Sequence, residues 1–559
     1  MVSRTGLLVL SLVALSYTPA SVHATELHNW SARFGGTGAD AVTGLAWPST
    51  EGFPGFITGV FADTITFGAA SLASAGGSDI FLVRLDYNGA PEWSRRMGGA
   101  LDDVAYAIQQ VGGGVIVVGA FEGTANFGGA DLTSAGGTDI FVVKYDGGGT
   151  HVFSWRFGGP LDDAALGISG VNPFLVTGYF GGTVNFGGND LTSVGGSDIF
   201  VARWHGNGTH EWSYRYGGAL DDVGAAIAST TSFAVVVGSF SGTSTFGGAN
   251  LISAGGSDIF YAQYNFLSGA HERSARFGGT ADDFGTEVVA RFDGSIYFTG
   301  SFRETANFGG GPLTSYGGSD AFLAAYNTAG VHLWSKRLGG PLDDYGNGIA
   351  DVGIVTLTGS FAGTANLGGG PRTSAGGTDI FLAKFEPADG FHRSSQPFGG
   401  PLDDVGTAVA IHGSMIPEDY GNDPILVGWF NGTVDFGGGP LTSEGESDAF
   451  VLDLSDAFTG IGDAPQKSSV TVSCFPNPFN PRTSVIYTVP ASAPVTVAVF
   501  DPNGAHVATL VNREHRNAGE HRAEWDGRAD GGGLAASGIY FVRVEQLGVA
   551  SAAKLVLLK

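Results

Sequence analysis

The sequence predicts an all-β protein: a seven-bladed β-propeller followed by a small Ig-like β-sandwich. Three observations carry this expectation. A stretch of about 60 residues is written seven times, marked by Gly35, Gly98, Gly158, Gly217, Gly278, Gly339 and Gly399 and by Asp79, Asp139, Asp198, Asp258, Asp320, Asp379 and Asp448. A fixed period of that size is the mark of a repeat architecture. Each copy holds four short runs rich in β-branched and aromatic residues, bounded by Gly, Asn, Asp or Ser, with no helical period between them. Near residue 457 the repeat stops, and strand candidates of another pattern follow.

Composition sets the limits. The chain has 559 residues, enough for several domains. Its 94 glycines follow no G-X-Y period, which excludes collagen and leaves turns between short strands. Acids outnumber bases 53 to 27, and the net charge of -26 argues against nucleic acid and anionic membrane surfaces as partners. The single cysteine, Cys474, allows no intramolecular disulfide and no Cys-based zinc site.

Residues 1–24 have the pattern of a signal peptide: Arg4, an apolar core from Leu7 to Leu15, and the small-residue cleavage pattern Val22-His23-Ala24. No stretch reaches the length of a membrane-spanning helix. A secreted or outer-membrane-surface location and a monomer are expected. Residues 25–457 are the expected propeller. In each repeat the first strand is the W-S-x-R-F segment, as at Trp30 to Phe34 and Trp93 to Met97. The second follows an Asp pair, the third is the most apolar (Phe233 to Phe240), and the fourth follows the recurrent Asp (Ile140 to Tyr145). The chain opens on a Trp-type strand and its last repeat lacks one. With that strand outermost, Trp30 to Phe34 completes the last blade and closes the ring, removing two sheet edges.

The pattern W-S-x-R-F-G-G…D-D…G-x-F-x-G-T-x-N-F-G…G-G-x-D-I-F-V resembles the bacterial β-propeller repeat family of secreted and cell-surface proteins. That family has no single activity, so the resemblance implies a fold and a location and little else. Residues 458–470 read as a linker. In 471–559, F-P-N-P-F-N-P-R-T, V-F-D-P-N-G, W-D-G and S-G-I-Y-F-V-R resemble the C-terminal sorting domains of type IX secretion and the Ig-like domain of flagellar hook-capping proteins. The resemblance implies that the type IX-like secretion machinery is a partner, engaged through residues 471–559.

The candidate sites are read against the repeat. The second Asp of the pair recurs in every copy, at Asp40, Asp103, Asp163, Asp222, Asp283, Asp344 and Asp404. These carboxylates form either a ring of oxygen ligands for a hard cation such as calcium or caps that accept N–H bonds in their own Gly-rich turns; the second reading has more weight. No EF-hand loop, nucleophile elbow, phosphate loop or H-E-x-x-H occurs. The aromatics Phe127, Phe186, Phe246 and Phe308, with Trp30, Trp93, Trp212 and Trp334, read as packing between blades rather than as sugar platforms. An insertion at 412–423 gathers His412, Glu418, Asp419, Tyr420 and Asp423, a metal or acid–base candidate or simply a solvated loop. The expectation is a non-enzymatic adhesion or binding scaffold for a protein or glycan, with no cofactor required. The alternative is a secreted polysaccharide hydrolase or lyase with its site on the propeller face.

Overall fold

The structure, a computed structural model, describes residues 26–48, 53–412, 423–455, 471–489, 493–502, 505–516, 519–546 and 549–558. The expected signal peptide, the 458–470 linker and, within the inserted loop, Glu418, Asp419 and Tyr420 lie outside the described residues. The chain divides into two compact units, Met1–Ala457 and Phe458–Lys559. The described residues are all-β, with no helix.

The first unit is built from one four-stranded antiparallel motif used seven times. Its first copy comprises Asp40–Ala46, Gly55–Phe61, Asp79–Leu85 and Pro91–Gly99, hydrogen-bonded in that spatial order. The Asp-led strand is innermost and the Trp-type strand outermost. The innermost strands touch one another in sequence order, and the seventh touches the first. Polar side chains stitch several of these contacts. Thr43 Oγ1 donates to Ala105 O (2.6 Å), Thr286 Oγ1 to Gly346 O (2.6 Å), and Thr407 Oγ1 closes the cycle on Val42 O (2.7 Å). As the phase of the repeat requires, Leu27–Phe34 pairs antiparallel with Asp448–Ser455 and is the outer strand of the seventh sheet. Just before it, the buried Glu26 pairs with Lys384 Nζ of the sixth sheet at 2.9 Å.

One element departs from the four-strand expectation. Between the second and third strands the G-T-x-N-F-G-G…L-T-S segment forms a short ribbon, as in Thr124–Asn126 with Leu132–Thr133. The ribbon reaches the preceding sheet: Asn126 pairs with Gly98, and Gly35, Gly217, Gly278 and Gly339 make equivalent bridges to Thr66, Thr245, Asn307 and Asn366. The ribbon phenylalanines are core residues. Phe127 is fully buried and stacks on Phe141 at 4.5 Å, and Phe186, Phe246 and Phe308 do the same on their own sheets.

Among the described residues the second unit holds seven strands, in two sheets. Thr471–Phe475, Thr483–Val489 and Gly519–Trp525 form one; Ala493–Phe500, His506–Arg516, Gly538–Gln546 and Val549–Leu557 form the other. Their shared core includes Phe479, Val485, Val497, Trp525 and Val542.

Candidate functional site

The recurrent Gly and the recurrent Asp explain each other. At the start of the third strand Asp79 is fully buried. Its Oδ2 accepts from Ala75 N (2.6 Å) and from Arg96 Nη1 (2.8 Å) on the outer strand. Its Oδ1 has no hydrogen-bond partner and lies over the Cα of Gly98. A Cβ at Gly98 would collide with that oxygen and stand 2.7 Å from Asp103 Oδ2, so only glycine leaves room for the two carboxyls. The same carboxylate–glycine contact recurs at all seven junctions, from Gly35 with Asp448 to Gly399 with Asp379. Six of the seven third-strand aspartates pair with an outer-strand arginine: Arg33, Arg96, Arg156, Arg215, Arg276 or Arg337. The exception is Asp379, because Pro397 occupies that register position.

The seven aspartates singled out from the sequence face these junctions. Asp40, Asp103, Asp163, Asp222, Asp283, Asp344 and Asp404 are all fully buried. Each accepts through Oδ2 from the N–H four residues upstream, as Asp163 does from Gly159 N (2.7 Å). In five of them Oδ1 takes a second backbone N–H, as Asp163 Oδ1 does from Gly181 N (2.9 Å). Burial pushes the carboxyls of Asp40, Asp103, Asp163 and Asp344 up to about 7 and those of Asp222, Asp283 and Asp404 to about 6; the backbone bonds pull them back and the facing aspartate adds to the rise. The first Asp of the pair is exposed and caps the previous sheet, as Asp102 Oδ1 accepts from Ser78 N (2.8 Å). Among the described residues no group of three or more His, Cys, Asp or Glu side chains is placed to hold a metal ion.

The aromatic residues separate in the same way. Trp93, Trp212 and Trp334 donate their indole N–H to Gly147, Leu267 and Pro387 carbonyls of the next sheet, which fixes them as inter-sheet packing. Trp30 stands against Trp47 and over Gly89. Of the inserted loop, the described flanks are Asp423 and His412, whose Nε2 meets Asp453 Oδ1 at 2.7 Å. Cys474 is half-buried, and burial pushes its thiol up to about 11.

Three features escaped the sequence reading. Six outer strands carry a histidine near their start, as at His151, whose ring lies over Gly128 and Gly129 of the ribbon turn. Glu287 stands at a β-bulge where the other six innermost strands have Gly44, Ala107, Gly167, Ala226, Gly348 or Ala408, and burial raises its carboxyl to about 7. Trp155 stands at a register position held elsewhere by Ala32, Arg95, Tyr214, Ala275, Lys336 and Gln396. The signal for the last two was present as a departure from the repeat in aligned copies.

Comparison with known proteins adds the following. Residues 480–548 match the model of the FlgD Ig-like domain. The chain is 24% identical over 394 residues to the regulatory protein FlaEY of Caulobacter vibrioides; the match covers 63% of this chain and 39% of that protein, so the chain spans about two fifths of the relative's length. Among solved structures, a europium-containing methanol dehydrogenase aligns over 77% of this chain and 93% of its own, with 9% identity and a TM-score of 0.35. PorZ, an essential bacterial surface component of the type-IX secretion system of Porphyromonas gingivalis, aligns over 93% of this chain and 81% of its own, with 13% identity and a TM-score of 0.15. At these TM-scores the overlays carry no argument about function.

Proposed function

We propose that the first unit is a seven-bladed propeller acting as an exported, surface-held scaffold for a protein or glycan partner, and that the second unit directs it there by a type IX-like route. The observation that carries this reading is the joining, in one chain, of seven cyclically contacting four-stranded sheets to an Ig-like domain that matches the FlgD model. The sorting-type motifs of residues 471–559 and the signal-peptide pattern of residues 1–24 support export. The recurrent polar groups of the first unit are spent within the fold, on backbone caps and ion pairs repeated in sheet after sheet. Such groups support the blade rather than a reaction, since a reaction needs one asymmetric constellation. Binding is therefore placed where the copies differ.

The test is expression of the full chain and of a chain ending at residue 457 in a host with a type IX system, followed by fractionation and surface proteolysis. The full chain is expected at the surface or in the medium and the shortened chain in the periplasm. Identical distributions would overturn the sorting role.

A further inference from the structure

The junction between the second and third sheets differs from the other six. At the outer-strand position before the recurrent glycine, Phe34, Met97, Tyr216, Phe277, Leu338 and Phe398 are all under 9% exposed. Phe157, at the same position, is only partly buried. The bridge that ties Gly98 to Asn126 has no counterpart between Gly158 and Asn185, nor between Gly399 and Asp435, but only at the first of these two is the residue before the glycine not buried. The ribbon stands further from the outer strand: Thr183 O would be 2.9 Å from a Cβ on Gly159, against 1.8–2.3 Å for the ribbon carbonyls at the other six junctions. A cavity of about 430 Å³ opens there, lined by Trp155, Phe157, Phe186, Trp204, Arg156 and His210.

Its surface is organised. Trp204 forms a buried wall, held by donation from its Nε1 to Phe186 O at 3.0 Å. Phe157 lies against it at 5.2 Å and 26°. Trp155 is locked by a parallel stack on Phe153, with centroids 3.9 Å apart and planes 4° apart. The Trp155 indole N–H, unlike those of Trp93, Trp212 and Trp334, donates to no described residue. The buried His210 Nε2 is also without a partner. Arg156 is held by Asp139 at 2.6 Å and keeps about a third of its side chain exposed.

We infer that this groove is a carbohydrate-binding site that takes one or two sugar rings; the inference rests on the surface-scaffold reading and names the partner class for it. The pyranose ring has a C–H face that packs on a flat aromatic and an equatorial rim of hydroxyls that exchange hydrogen bonds with polar groups at its edge. The groove offers both: a fixed aromatic face and, beside it, a free N–H donor, an imidazole nitrogen and a guanidinium. A wholly apolar occupant would cover the Trp155 N–H without replacing its water, a desolvation cost that a sugar hydroxyl avoids, and would leave the buried His210 Nε2 unpaired. The volume falls in the range of small-ligand sites and excludes a helix or a strand pair. The site is asymmetric, as a specific ligand requires, and occurs where the scaffold breaks its own rule.

The test uses the full chain. It is screened on an array of bacterial and plant polysaccharide fragments, and the best fragment is titrated by tryptophan fluorescence. Trp155→Ala is expected to weaken binding at least about tenfold, or about 1.4 kcal/mol. Trp155→Tyr, which keeps an aromatic face, is expected to stay within about threefold of the parent. Both variants should fold, because Ala32, Ala275 and Tyr214 occupy this register position in other sheets. Unchanged thermal unfolding checks that. An array without a hit, binding of an apolar dye or peptide in place of sugars, or equal sugar binding by Trp155→Ala would each overturn the site. A negative array from a chain correctly delivered to the surface removes the site and leaves the scaffold reading intact. Failed delivery with sugar binding retained does the reverse.

Discussion

At the scale of the residue, the junction glycines are set by the carboxylates that occupy the space of their missing side chains. Gly98 has φ +135° and two aspartate oxygens at its Cα; Gly68 has φ +62° and nothing within 4 Å of a Cβ. Gly98→Ala should therefore cost about 3 kcal/mol, from strain and collision together. Gly68→Ala should cost about 1 kcal/mol, from backbone conformation alone. Urea unfolding of the two variants compares them, and equal losses would contradict the contact. The caps also predict a pH dependence. The Asp163 carboxyl titrates at about 7 in the folded protein, up from 3.8. The folded chain then keeps a proton that the unfolded chain gives up. This contribution favours folding below about pH 4 and is lost as pH rises through about 7. Burial lowers His151, His210, His271 and His332, which act in the opposite direction by losing stability as pH falls below 6.5. The difference between parent and Asp163→Asn isolates the carboxyl: the variant should gain on the parent as pH rises from 4 to 7. A pH-independent difference would refute the raised value. The sequence made Gly98 and Asp79 visible as recurrent residues but not as partners, because their contact crosses two strands and appears only when the sheet forms. Trp155 was hidden for a different reason. A tryptophan two positions past the usual one reads as noise until strand register shows that no other sheet has an indole there.

At the scale of the element, the four main strands of each repeat were legible because their apolar runs are long enough for pattern to outweigh chance, as from Phe233 to Phe240. The ribbons were not. Thr124–Asn126 and Leu132–Thr133 are too short to show period-two alternation, and they are held by pairing across a sheet junction rather than by local propensity. The closure was legible from the phase of the repeat alone, since an unpaired edge at both ends of a ring has one economical solution. It predicts that deleting residues 25–36 removes both the Leu27–Phe34 strand and the buried Glu26–Lys384 pair. Lys384 is then left buried without that carboxylate, a costly state. The thermal midpoint should fall by more than about 5 °C. A midpoint that does not move would show that the strand is not part of the cooperative unit.

At the scale of the whole molecule, near-identity of the copies is both the source of the fold and the reason the sequence says so little about chemistry. Each repeated acid, arginine and glycine is used up in bracing its own sheet or in holding one sheet to the next. Specific recognition is left to the places where a copy deviates, at Phe157 and Trp155 most of all. That account depends on seven sheets closing into one ring. The most direct measurement is electron-microscopic imaging of the purified chain, with class averages taken down the axis. Seven lobes around a closed centre are predicted; an open arc, or any other number of lobes, would contradict the account.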